Sequence, residues 1–363
     1  MKTEGVIAEV IKKITPLDSA AMAIARERLD GILKPLDGLG DLEGHLVRVA
    51  GITGNARIDL SGKAVVVFCA DHGVVARGVS QTGREVTSLV AENLAAGRTS
   101  VCLMARVAGA QVVAVDIGIS SPRPIPGLWN HRIAPGTRDF LEAPAMSREE
   151  AEQALEAGII VARKLAGQGF RMLATGEMGI GNTTSAAALI AAMTGLPASE
   201  VTGRGAGLSD EGLIRKIAVV EEALRIHRPD PEDAIDLLSK VGGFDIAGIA
   251  GLCLGGAATR IPVVLDGFVS GVAAMLAARI CPGVRRYLLP SHQAAEPAAG
   301  VALRDLELEP LLTLRMKLGE GTGAVAALPL YDMASCVYSE AIFFGERGMP
   351  PYVRYETAVE EPV

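Results

Sequence analysis

The sequence predicts an α/β protein with a mostly parallel β-sheet and helices on both of its faces. Three observations predict it. Short apolar runs of strand length alternate with longer helical stretches. Several of these runs lead directly into a carboxylate or a polar turn, as strands do at the sheet edge where ligands gather. Glycine is abundant (42 residues) and aromatic residues are scarce (4%), which suits close packing of helix on sheet.

Taken in order, residues 16–49 read as helices broken at 34–40 (KPLDGLG), where Pro35, Gly38 and Gly40 make a turn. Lys34 in that turn is either an anion contact or an exposed lysine. Residues 64–70 (AVVVFCA) form the first strand, followed by Asp71-His72-Gly73. A helix is expected over 84–108, and a second strand over 111–115, ending in Asp116. Residues 116–144 are rich in Pro and Gly, a loop length that is usually functional or flexible. Ser147 with Glu150 three residues on predicts a capping box. Residues 170–174 are the third strand. Ser209 caps a later helix that carries Lys216. Residues 261–265 form a strand ending in Asp266-Gly267, and 286–289 another before Pro290-Ser291-His292. A helix is expected over about 303–317, leading through a glycine loop to an apolar segment, 324–330. If the strands are adjacent, Asp71, Asp116, Glu177 and Asp266 ring one edge of the sheet. A lone Asp at such a position is equally at home as a helix cap.

Two glycine loops carry the candidate chemistry. The first lies in a strand–loop–helix unit over 170–193, with Gly176, Gly179 and Gly181 in the turn and Thr183, Thr184 or Ser185 as the expected cap. Such a turn aims unpaired N–H groups and the positive end of a helix dipole at an anion. Its spacing copies the P-loop, but Asn182 stands where the lysine belongs, which removes the charge a triphosphate needs. Glu177 would also repel a polyphosphate. The loop therefore reads as a cradle for one phosphate or a ribose, with Glu177 bonding hydroxyls, or else simply as a tight turn. In the second loop, 318–323 (LGEGTG), Glu320 stands between Gly319 and Gly321, with Leu318 and Val325 beside it. Apolar surroundings raise a carboxyl pKa and suit it to general-base work. A solvated Glu in a helix-ending turn is the alternative.

Composition narrows the classes. A net charge of −7 argues against nucleic acid as the main partner. The charge-free run 178–199 holds Asn182, three threonines, two serines and Pro197, a poor membrane span. The N-terminus lacks a signal-peptide core, so a soluble cytoplasmic protein is expected. The five cysteines form no C-x-x-C pair and the five histidines no H-E-x-x-H motif. Neither a metal nor a cofactor is expected.

Six segments in order, ADHGV at 70–74, GEMGIGNTT at 176–184, LSKVGGFD at 238–245, VLDGF at 264–268, PSH at 290–292 and LGEGTG at 318–323, resemble the CobT family of nicotinate-nucleotide–dimethylbenzimidazole phosphoribosyltransferases. They span nearly the whole chain. The resemblance implies a Rossmann-like α/β domain over 61–330, with a small helical domain made of 1–60 and 331–363, in a homodimer. It implies that 5,6-dimethylbenzimidazole attacks C1′ of nicotinate mononucleotide, with inversion from β to α, giving α-ribazole 5′-phosphate and nicotinate for a cobamide. Glu320 then matches the family's base, and Glu177 is the second catalytic carboxylate. Gly176, Gly179, Gly181, Asn182 and Thr183 match the ribose and phosphate loop, and Gly319 and Gly321, on either side of Glu320, are expected to join them in holding ribose and phosphate. Lys216 and Asp266 match site-lining positions. Toward the azole lie Leu318 and two departures from the family pattern, Thr82 (with Gly83, in place of Ser-Pro) and Val90 (in place of Gln). The KPLDGLG turn also departs from the family's K-P-P-G-S-L-G. These departures leave the choice of base open between dimethylbenzimidazole, another benzimidazole, adenine and a phenol. A non-catalytic mononucleotide binder and a P-loop NTPase are the competing readings; Glu320 opposes the first and Asn182 the second.

Overall fold

The structure is a computed structural model and describes residues 5–355. By packing, these residues divide into two compact units, one of residues 5–16 and 61–329, the other of 17–60 and 330–355.

The larger unit is an α/β Rossmann-like body. Its sheet comprises β1 (Lys63–Ala70), β2 (Ala110–Gly118), β3 (Trp129–Asn130), β4 (Met172–Met178), β5 (Val263–Val264) and β6 (Leu288–Leu289). The spatial order is β3-β2-β1-β4-β5-β6, and every neighbouring pair is parallel. All eight residues of β1 are buried, as a central parallel strand covered on both faces requires. Its run of Val65, Val66 and Val67 is β-branched and unbroken for that reason. The helix Phe244–Ala258 packs on Arg148–Gly167, and Gly158 and Gly251 let the two backbones touch where no side chain would fit. The helix Val6–Lys13 packs on these same two helices rather than with the other N-terminal segments. Its Val10, fully buried, needs that surface.

Several expectations are corrected. The stretch 84–108 is two helices, Glu85–Ala95 and Ser100–Val107, broken at Gly97 with φ +70°. The expected helix over 303–317 is only Ala299–Asp305. Beyond it, Glu307 and Arg315 take positive φ, and Gln293 and Ala295 donate backbone N–H bonds to Leu312 and Met316. Pairing with that neighbour replaces helix. Residues 324–330 lie inside the helix Thr322–Glu340. The helix Asn182–Thr194 is capped by Gly181 in the left-handed region, with no side-chain cap, so Thr183, Thr184 and Ser185 do other work. The capping box of Ser147 and Glu150 and the Ser209 cap form as read from the sequence.

The smaller unit contains the helices Ser19–Gly31 and Asp41–Thr53 and the end of Thr322–Glu340. Lys34 pairs there with the buried Glu43 at 2.7 Å, so it is neither an exposed lysine nor an anion contact. Among the described residues, no helix is long and apolar enough to cross a membrane.

Candidate active site

The sheet order makes β2, β1, β4 and β5 adjacent, so Asp116, Asp71, Glu177 and Asp266 do fall along one edge. They divide by role. Asp116 is held by Arg132 at 2.7 Å and by the N–H of Ile119 at 3.0 Å. Asp71 accepts the N–H of Ser120 at 2.7 Å. These two fasten the loop after β2. Glu177 and Asp266 instead line a cavity of about 150 Å³ at the ends of β4 and β5.

Glu177 lines the cavity from the end of β4. Burial pushes its carboxyl up to about 8, and the charges of Asp245 and Asp266 add to that. The amide of Asn182 and the N–H of Glu320 pull the other way. Gly319, at φ +82°, passes so close that any side chain there would collide with the Glu177 carboxylate. Only glycine can carry the second loop across the first.

Asp266 ties that second loop down. Its carboxylate accepts N–H groups of Gly321 (3.2 Å), Gly323 (2.8 Å) and Ala324 (3.1 Å), which open the helix Thr322–Glu340. Burial raises its pKa, while the buried His292 beside it and these N–H groups oppose the rise. Asp266 thus caps a helix and lines the cavity at once.

The first loop brings a helix N-terminus to the cavity. Gly179, Gly181, Asn182 and Thr183 line the cavity at the N-terminus of Asn182–Thr194. Lys216 is buried behind them, its Nζ donating to Thr183 Oγ1 at 2.8 Å. Burial pulls this ammonium down to about 8, against the attraction of Glu296. Gly176 lies within β4, beneath the Glu320 backbone. Leu318 lines the cavity as an apolar wall.

Besides Gly176, Gly321 and the buried Lys216, three more expected residues do not line the cavity. The Glu320 carboxylate turns to the helix Ser100–Val107 and accepts the Val101 N–H at 3.3 Å. Burial raises its pKa and the contacts to Val101 and Thr99 lower it. Thr82 is exposed, beyond a turn its N–H closes on Ser80 Oγ (3.3 Å), and its neighbours Val79, Ser80 and Gln81 line the cavity instead. Val90, on Glu85–Ala95, does not line it.

Two features escape the sequence reading. Gly205 and Gly207 form a third glycine segment along the cavity, and the Gln81 amide donates to the Gly207 carbonyl. The G-x-G-x-G spacing of 203–207 is the signal that could have found it. The other is a buried group of His72, Ser185 and Asp245 behind Asn182, assembled from distant segments with no local signature.

A phosphoribosyltransferase family model matches residues 14–348. The nicotinate-nucleotide–dimethylbenzimidazole phosphoribosyltransferase of Roseiflexus sp. (strain RS-1) is 49% identical over 346 residues, 95% of this chain and 98% of that one. The same-named protein of Escherichia coli O17:K52:H18 (strain UMN026) is 45% identical over 334 residues, 92% of this chain and 93% of that one. The crystal structure of CobT from Thermus thermophilus superposes with a TM-score of 0.86 at 42% identity, covering 91% of this chain and 99% of that one.

Proposed function

We propose a reaction from one premise: this chain belongs to the nicotinate-nucleotide–dimethylbenzimidazole phosphoribosyltransferase family. It transfers the phosphoribosyl group of nicotinate mononucleotide to 5,6-dimethylbenzimidazole. A ring nitrogen of the azole bonds to C1′ while the bond from C1′ to the nicotinate nitrogen breaks. The azole N–H proton leaves to a carboxylate, and the products are α-ribazole 5′-phosphate and nicotinate.

The observation that carries this reading is the half-buried Glu177 carboxyl between two glycine loops, beside a phosphate cradle without the P-loop lysine. The nicotinate ring of the nucleotide is already cationic, so it departs without a strong acid. Its charge, entering the cavity, favours ionised Glu177, which then stabilises positive charge developing on the ribose. The N–H groups of Gly181 and Thr183 and the Lys216 ammonium take the single phosphate. Leu318 offers the azole an apolar face. Glu320 takes the azole proton, after its side chain leaves the N–H of Val101. Burial raises the pKa of Glu320, which makes it a better proton acceptor.

The enzyme acts in this reading as a cytoplasmic homodimer. Incubation of nicotinate mononucleotide with and without the azole, followed by chromatography, tests the transfer, and analytical ultracentrifugation tests the assembly. Azole-dependent nicotinate release is expected. Nucleotide binding without release would leave only a binding protein.

A further inference from the structure

We propose that Asp245 is a positioning residue for Glu177, held by His72 and acting through the one amide of Asn182 that both carboxylates share. The inference rests on the reading that Glu177 serves the transfer from inside the cavity.

His72 follows the end of β1 and is fully buried. Its Nδ1 lies 3.0 Å from Ser185 Oγ and its Nε2 lies 3.0 Å from Asp245 Oδ1. Serine, histidine and acid in this order suggest a hydrolytic triad. Burial excludes it: Ser185, His72 and Asp245 are all buried and none lines the cavity, so no substrate reaches the hydroxyl. The hydrogen count assigns another role. An ionised Asp245 only accepts, so Nε2–H donates to it, and Nδ1 then accepts the Ser185 hydroxyl. Asp245 Oδ1 also accepts the Ile246 N–H at 2.9 Å, in the first turn of Phe244–Ala258, where the helix dipole favours a negative charge. Its other oxygen accepts from Asn182 Nδ2 at 3.1 Å.

The Asn182 amide has two hydrogens. One goes to Asp245, and the other to Glu177 Oε2. The buried anchor is thereby joined to the cavity wall by one rigid, fully used donor. A side chain added to Gly179 would fall 3.0 Å from Asp245 Oδ2 and 3.2 Å from His72 Nε2, so the nucleotide loop lies directly on this brace. The charge of Asp245, lying across the shared amide, helps to raise the pKa of Glu177. The other groups acting on Glu177 are Asp266 from beyond β5 and the Glu320 N–H; Cys69 on β1 feels its charge, and the Glu320 carboxylate points to Val101.

The test is the pH profile of kcat/KM for nicotinate mononucleotide, which reports the free enzyme. The limb that Glu177→Gln removes identifies Glu177. In Asp245→Asn that limb is expected to move to lower pH by roughly one unit, because a like charge is gone. In Asn182→Ser it is expected to move to higher pH, because Glu177 loses a donor. A merely structural brace lowers the rate at every pH and moves neither limb, and that result overturns the proposal. If Asp245→Asn fails to fold, as judged by circular dichroism and melting, Asn182→Ser decides alone: an upward shift upholds the proposal and a fixed limb overturns it. Absence of product from the wild-type enzyme would strike the transferase reading itself, which separates that failure from this one.

Discussion

The backbone of Glu320 rests on Gly176. A methyl group on Gly176 would fall 2.6 Å from the Glu320 carbonyl oxygen, and the Glu320 N–H donates to the carbonyl of Glu177 at 3.2 Å. The second glycine loop is therefore seated on the strand that carries the first carboxylate. Gly176→Ala is expected to unseat it, at a cost of about 1–3 kcal/mol in denaturant unfolding, with loss of transfer activity. Unchanged stability and activity would show that the seat has slack.

Glu320 holds φ +60°, a conformation that costs a non-glycine residue about 1–2 kcal/mol. Glu320→Gly and Glu320→Ala both remove the carboxylate, and both are expected to slow transfer by about 100-fold or more. The glycine variant is expected to be the more stable of the pair by about 1 kcal/mol, measured by denaturant unfolding. Equal stabilities would mean that the loop relaxes.

The raised pKa of Glu177 makes stability depend on pH. Folded Glu177 titrates at about 8, above its ordinary value of 4.5. Its protonated form supports the fold fully below the unfolded pKa, and that support is lost as pH rises through 8. Glu177→Gln cannot ionise. Its melting temperature is expected to match the wild type near pH 5 and to exceed it by a few degrees near pH 8.5. A gain independent of pH would contradict a raised pKa.

Lys216→Met keeps the buried volume and removes the charge behind Thr183. The KM for nicotinate mononucleotide is expected to rise about tenfold or more, with a smaller change in kcat. A fall in kcat alone would move Lys216 from phosphate binding to the chemical step.

Much of this was legible in the sequence because it is local. The apolar runs of β1 and β4 and the Ser147 capping box each depend on residues near one another in the chain. The illegible parts depend on distant partners. Residues 306–317 look periodic, but their backbone pairs with residues 291–295. Asp71 and Asp116 look like site carboxylates until Ser120 and Arg132 claim them. The Glu320 carboxylate looks like a cavity base, and only the fold brings the Val101 N–H to it. In the sequence, Asn182 marks only the absence of the P-loop lysine. Its positive role, an amide shared between Glu177 and Asp245, required a residue 63 positions away.

The central claim is tested most directly by following nicotinate release from nicotinate mononucleotide with and without 5,6-dimethylbenzimidazole, and identifying the riboside product by chromatography. The account predicts release that depends on the azole, with α-ribazole 5′-phosphate formed in equal amount. Release without azole, or a β-configured product, would contradict it.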